Sequence, residues 1–240
     1  MKALAGSLEA LIDRVAAIRH TDPARCPRVV VTGDFFLRLS PSFLGEVHEL
    51  YARRGIIVVP VGLNELLLYA AYAGMASAAE GWGLPPDSAR AAAYACIRFY
   101  QPEGRNYLAS WAAYRGLRYY EQRYRRLFLR TGLLVGGGHD ISRLFDRASE
   151  HISPAIVGEA IPTVGKGIAA GDEGYDGIIA IGPFNCLPFR ISEAILRPHS
   201  MQEGMPILTY ESDGFSVPPA FLRQVEVHIQ QVLANGSRGR

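Results

Sequence analysis

Apolar residues recur along this chain at two different spacings, and the spacing changes from segment to segment. In residues 7–19, Leu8, Leu11, Ile12, Val15 and Ile18 fall three or four positions apart, which predicts an amphipathic helix with Ser7 as its N-cap. Residues 21–27 contain Pro23 and Pro27 and read as a linker. The β-branched run Val29, Val30, Val31, Thr32 then predicts a buried strand, closed by Gly33 and Asp34. A helix over 42–54 ends at Gly55, a natural C′ residue, and a second strand over 56–59 is stopped by Pro60. Strand, helix and strand in this order predict a right-handed parallel crossover.

Beyond Pro60 the pattern turns helical. Asn64 is placed to cap a helix over 65–79, residues 81–86 form a turn, and Asp87 or Ser88 caps a helix reaching Tyr100. Pro102 and Gly104 are expected to break that helix before a long one over 106–130. A short strand over 133–135 precedes Gly136, Gly137 and Gly138. Asp140 is placed to cap a helix over 141–151, and Pro154 opens another over 155–171. A strand over 177–181, a helix over 190–196, a strand over 206–210 and an amphipathic helix over 220–233 follow. Strands alternate with helices in both halves, so the fold class is α/β. The organisation is either two α/β lobes or one α/β domain with a large helical insertion. The first is adopted: two lobes with parallel sheets flanked by helices, and a large helical middle segment. Its divisions are an N-terminal helix and linker (1–27), a first lobe with the helical insertion (28–135), a second lobe (136–234) and a disordered tail (235–240).

Composition narrows the function classes. Of 240 residues 49% are hydrophobic and 20% charged, enough to bury a substantial core. The formal net charge of +2 argues against a dedicated nucleic-acid surface. Lysine occurs only at Lys2 and Lys166, with arginine supplying the other cations, a choice that follows genome composition as readily as carboxylate or phosphate recognition. The amino terminus carries no signal-type apolar region, and Pro60, Asn64 and Glu65 interrupt the apolar stretch 56–74, so no membrane helix is expected. Cys26, Cys96 and Cys186 are odd in number and form no C-x-x-C pair. That excludes a zinc ribbon or a simple ferredoxin loop and points to a reducing cytoplasm.

The residues that bear chemistry are few. The apolar run from Ile178 ends at Gly182 and Pro183, and Cys186 follows three residues later. A buried strand stopping there delivers Cys186 to the carboxyl edge of a parallel sheet, where ligands sit in open α/β folds. The thiol is then a metal ligand or a nucleophile, or else a small buried hydrophobe with no reactivity. Glu211 and Asp213 follow a strand and are either acid–base groups at the same edge or turn caps. Residues 164–167, Val-Gly-Lys-Gly, lack P-loop spacing and read better as a helix crossing close to another backbone. Gly136 to Gly138 suit either an anion at a helix N-terminus or a plain turn. The six histidines form no H-x-x-x-H pair, and no G-x-S-x-G elbow is present. The tyrosines and arginines of residues 107–130 suit an amphipathic helix with aromatic core anchors better than a nucleic-acid platform.

Three phrases in the carboxyl half share one resemblance: Gly158-Glu-Ala-Ile-Pro-Thr-Val-Gly-Lys-Gly167, Gly174-Tyr-Asp-Gly177 and Ile181-Gly-Pro-Phe-Asn-Cys-Leu-Pro188. They resemble the 2-hydroxyacyl-CoA dehydratase (D-component) family, most closely the non-ATPase domain of the large acyl-CoA dehydratase activases. Val31-Thr-Gly-Asp-Phe-Phe-Leu-Arg38 is similar to the start of that domain, and together these phrases span most of residues 28–233. The resemblance implies a two-lobed α/β fold and a [4Fe–4S] cluster held by cysteines distant in sequence. The cluster activates a 2-hydroxyacyl-CoA thioester for loss of water after an ATP-driven activase injects one electron. Cys186 corresponds to a cluster-ligand position; Gly182 and Pro183 would set the loop, and Asn185 would hydrogen-bond a sulfide or substrate.

The chain departs from that pattern in its thiol count. A cluster usually takes three or four thiolates. Cys26 precedes a strand and belongs to the opposite edge, while Cys96 lies in an alanine-rich helix. The chain therefore binds no cluster alone, or completes one across a dimer or with a partner subunit. It also lacks an ATPase nucleotide motif. The expectation is a cytoplasmic iron–sulfur-associated domain that contributes to or scaffolds such a site, with an ATPase activase module or a dehydratase subunit as partner. The alternatives are a non-catalytic domain that docks the activase through residues 107–130, and a metal-free acyl-CoA binding module.

Overall fold

The computed structural model describes residues 2–18, 22–134, 140–154, 156, 158–214 and 217–236. In chain order its strands are β1 (Arg28–Gly33), β2 (Ile57–Pro60), β3 (Gly177–Pro183) and β4 (Ile207–Ser212). Its helices are α1 (Lys2–Ala16), α2 (Pro41–Ala52), α3 (Leu63–Glu80), α4 (Ala89–Ile97), α5 (Pro102–Phe128), α6 (Ile141–Ser149), α7 (Ala160–Ala169), α8 (Leu187–Glu203) and α9 (Pro219–Gly236). The chain divides into two compact units, one of Met1–Ile18 with Leu63–Leu134, the other of Arg19–Gly62 with Val135–Arg240. No helix among the described residues is long and apolar enough to cross a membrane.

The second unit is α/β. Its four strands form one all-parallel sheet in the order β2-β1-β3-β4. Apart from Arg28 at the start of β1 and the buried Thr32, the two central strands are apolar because they are buried on both faces. Val29, Val31, Ile179 and Ile181 face α2 and α9, meeting Val47, Tyr51, Val225 and Ile229. Val30 and Ile178 face the other way, toward Ala170 and Tyr175. The crossovers β1–α2–β2 and β3–α8–β4 are the parallel connections that the apolar pattern predicts.

The α/β class, the parallel pairing and the helical middle segment hold, but the lobe boundaries lie elsewhere. The strands assigned to separate lobes share one sheet, with β1 pairing to β2 on one side and to β3 on the other. A central strand needs a hydrogen-bonded neighbour on each edge, and the sequence next to β1 supplies only one. The other arrives after the long helical segment, which with α1 makes up the other unit. The expected strand at 133–135 does not form at Leu133 and Leu134, while Val135 and the glycines 136–138 lie outside the described residues.

Residues 164–167 lie inside α7, which is buried along its length. A Cβ on Gly165 would stand 2.2 Å from the Leu144 carbonyl oxygen of α6, so the glycine is there to let two backbones approach. Lys166 donates to Glu173 at 2.6 Å and lies over the Tyr175 ring, which makes it a buried ion-pair lysine.

In the helical unit α5 packs on α3 and α4. Pro102 starts α5, because its missing N–H costs nothing in the first turn. Ser88 caps α4 by accepting from the Ala91 N–H. Tyr107 is buried, donates to the Pro86 carbonyl at 2.6 Å and meets Trp82; Tyr72 and Tyr114 are also in ring contact. These are the aromatic core anchors, while Tyr119, Tyr120 and Tyr124 are exposed.

Candidate functional site

The chain leaves β1 toward β2 on one side of the sheet and leaves β3 toward β4 on the other. Between β1 and β3 the connections diverge, opening the crevice at the carboxyl edge where α/β sheets hold ligands. Two loops and the N-termini of α7 and α8 meet there.

The loop after β1 is fixed by its own hydrogen bonds. Gly33 adopts φ of 109°, and a Cβ on it would stand 1.9 Å from the Ile181 carbonyl oxygen. The Asp34 N–H donates to that same carbonyl at 2.8 Å, clipping the loop to β3. Asp34 Oδ1 accepts from the N–H groups of Phe36 (3.0 Å) and Leu37 (2.9 Å), which holds the turn. Arg38 folds back, buried, and donates through Nη1 to the Gly33 carbonyl at 2.8 Å.

The loop after β3 carries the residues that the sequence singles out. Gly182 is buried in β3, where a Cβ would stand 2.1 Å from the Phe189 ring, so its smallness accommodates that side chain. Pro183 ends the strand. Asn185 is exposed at φ of 57°, the left-handed region that asparagine tolerates. Cys186 is half-buried at the N-cap of α8, with its N–H donating to the Pro183 carbonyl at 3.2 Å. Gly182 and Pro183 thus shape the loop, Asn185 turns it, and Cys186 presents a thiol at a helix N-terminus, a position that favours anionic ligands.

Glu159, at the N-cap of α7, forms the third wall. Its Oε2 accepts from the Phe35 N–H at 3.1 Å. Burial raises the Glu159 carboxyl above its ordinary value, and the Asp34 charge raises it further; Arg38 and the Phe35 N–H pull it partly back. Glu159, Asp34, Thr163 and Cys186 border one enclosed space of about 10 Å³, the size of a single water. Beside it a cavity of about 450 Å³ opens among Asp34, Phe36, Pro183, Phe184 and Asp213. Phe36 and Phe184 are 71% and 72% exposed at its mouth.

The sequence reading does not single out Asp34 or Glu159 as site residues. A signal exists for Asp34, since Gly33 and Asp34 close an apolar strand as Gly182 and Pro183 do. Asp213 reaches the carboxyl edge and lines the larger cavity, whereas Glu211 lies within β4, 3.4 Å from Arg190. Cys26 is at the amino edge of the sheet, before β1, and Cys96 is exposed on α4 in the helical unit. Among the described residues, no three His, Cys, Asp or Glu side chains come together to hold a metal ion.

The edge therefore offers a thiol, the carboxylates of Asp34, Glu159 and Asp213, with Glu159 raised toward the protonated form, and helix N–H groups. That set can exchange protons and contribute a ligand, but it does not supply the thiolates of a whole iron–sulfur cluster. No protein-family model, no curated protein and no solved structure matches this chain.

Proposed function

We propose that the α/β unit is an iron–sulfur-associated module of the 2-hydroxyacyl-CoA dehydratase and activase kind. Cys186 supplies one thiolate of a [4Fe–4S] cluster, and a partner chain supplies the others. The observation that carries this reading is the position of Cys186: half-buried at the crossover crevice, on a helix N-terminus, beside a carboxyl with a raised pKa. With one thiol at this edge, the two or three remaining thiolates of such a cluster come from the partner. The cluster, when bound, supplies low-potential one-electron chemistry. The chain's own residues hold the loop, limit the enclosed space to the size of a single water and place the Glu159 carboxyl beside the thiol. The exposed Tyr119, Tyr120 and Tyr124 of α5 offer a face to an activase module.

Anaerobic reconstitution with iron and sulfide tests this, with a small-molecule thiol standing in for the missing ligands. Iron and sulfide should be retained by the native chain and lost from Cys186→Ala. Equal iron in both proteins would remove Cys186 from the ligand set. A second reading is favoured by the lone thiol at this edge: metal-free binding of an acyl-CoA in the cavity of about 450 Å³. A CoA thioester that raises the melting temperature of iron-free protein would select it.

A further inference from the structure

Among the described residues the outer edge of β4 has no strand paired to it, and its hydrogen-bond register follows from its pairing with β3. The Ile178 N–H donates to the Pro206 carbonyl at 2.9 Å and the Phe184 N–H to the Ser212 carbonyl at 2.7 Å. In a parallel ladder alternate residues turn their main-chain groups to the same neighbour. Leu208, Tyr210 and Ser212 therefore face β3, while Ile207, Thr209 and Glu211 turn N–H and C=O outward. Among the described residues, no backbone partner meets these outward groups.

Natural edge strands are usually guarded by brevity, charged side chains, proline, a bulge or a covering element. The opposite edge, β2, follows that rule, with four residues ending in Pro60. β4 is less guarded: residues 207–212 contain neither lysine nor proline, their one charge, Glu211, is ion-paired to Arg190, and the register with β3 runs unbroken from Ile207 to Ser212. Two cavities of about 430 and 530 Å³ adjoin this strand and share Ile207, between α8 and α9. Exposed apolar side chains flank them, Met201 on α8 (83% exposed) and Val227 on α9 (59% exposed).

We propose that this edge pairs with the same edge of a second copy of the chain. The two β4 strands run antiparallel about a two-fold axis at Thr209. Antiparallel pairing sets Thr209 opposite Thr209 of the second copy and Ile207 opposite its Glu211, so every outward group exchanges both bonds. The charges beside the strand support a copy of itself as the occupant. Arg197 donates to the Thr209 hydroxyl, which donates to Glu193, so each copy brings one cation and one anion to the axis, a pair complementary to its own two-fold image. The two sheets become one continuous eight-stranded sheet, and Met201 and Val227 leave water.

The test is sedimentation of the full chain over a range of micromolar concentrations, with amide exchange on the same samples. The native chain should dimerise, and the Ile207, Thr209 and Glu211 amides should gain protection as concentration rises. Thr209→Pro removes an outward donor without removing a sheet hydrogen bond, and should raise the dimer Kd at least about tenfold. Should that variant misfold, the double change Met201→Glu with Val227→Glu places charge on the flanks alone and should weaken the dimer similarly. A chain that stays monomeric throughout, or a dimer indifferent to the folded variants, would overturn the proposal.

Discussion

Replacing His228 with glutamine isolates one titrating group in the core of the α/β unit. His228, on α9, is 2% exposed, and its Nδ1 lies 2.5 Å from the Tyr51 hydroxyl of α2. Burial pushes the Tyr51 phenol far up, with the Glu226 charge adding to the effect, so Tyr51 stays protonated and donates. Nδ1 then accepts, which makes the imidazole neutral with its proton on Nε2. Burial pulls the His228 imidazole from 6.5 down to about 4, opposed by the Pro206 carbonyl. Below about pH 6.5 the unfolded chain takes up a proton that the folded chain refuses until about pH 4. Between those limits the unfolded state binds more protons, so stability falls as pH falls. Above pH 6.5 this contribution is fully present. At about 1.4 kcal/mol per pH unit the loss across the window is about 3 kcal/mol. The assay is urea unfolding from about pH 7.5 to pH 4 for the native protein and His228→Gln. Glutamine can accept from Tyr51 and does not titrate, and carboxylates common to both proteins cancel in the difference. Trp82 and Trp111 belong to the helical unit, so amide exchange in β3 is the better probe of this core. A difference between the two proteins that stays flat from pH 6.5 to pH 4 would refute the buried neutral imidazole.

Gly33→Ala combines a strained φ with a Cβ driven into the Ile181 carbonyl, and should lower stability by about 3 kcal/mol or more in a thermal or urea melt. A melt within about 1 kcal/mol of native would show that the β1 loop relaxes freely. Glu159→Gln should be neutral or stabilising at pH 7, because burial and the Asp34 charge make ionising this carboxyl costlier in the folded state than in the unfolded one. That advantage should vanish as pH falls to the ordinary carboxyl range, where the folded state already holds the proton. Melting curves that show the native protein more stable at pH 7 and less stable in acid would reverse the assignment.

Much of the sheet is legible in the chain because each strand carries its own signal. Residues 29–31 and 177–183 are apolar without interruption, as strands buried on both faces tend to be. The turn residues that end them, Gly33 and Gly182–Pro183, stand where the apolar runs stop. Helix ends are less legible. Pro102 has one meaning inside a helix and the opposite meaning in its first turn, and only the packing of α5 decides between them. The division into units is not legible at all. A helical stretch of some seventy residues between strands reads identically as a lobe boundary or as an insertion. The pairing of β1 with β3 separates the two readings, and no local pattern encodes that pairing.

The same non-local pairing decides which side chains form the site. Cys186 stands out alone, as a thiol after a strand-ending glycine and proline. Asp34 and Glu159 are ordinary carboxylates in isolation. They become a pair because β1 lies against β3, the Asp34 N–H reaches the Ile181 carbonyl, and the start of α7 ties its Glu159 to the Phe35 N–H. The raised Glu159 carboxyl follows from that arrangement, since burial and the Asp34 charge both depend on strand order. Any chemistry at Cys186 therefore depends on the β1 loop as much as on the thiol's own motif. A substitution at Gly33 that left the protein folded but released Asp34 from Ile181 should disturb the site without touching a single residue of residues 181–188.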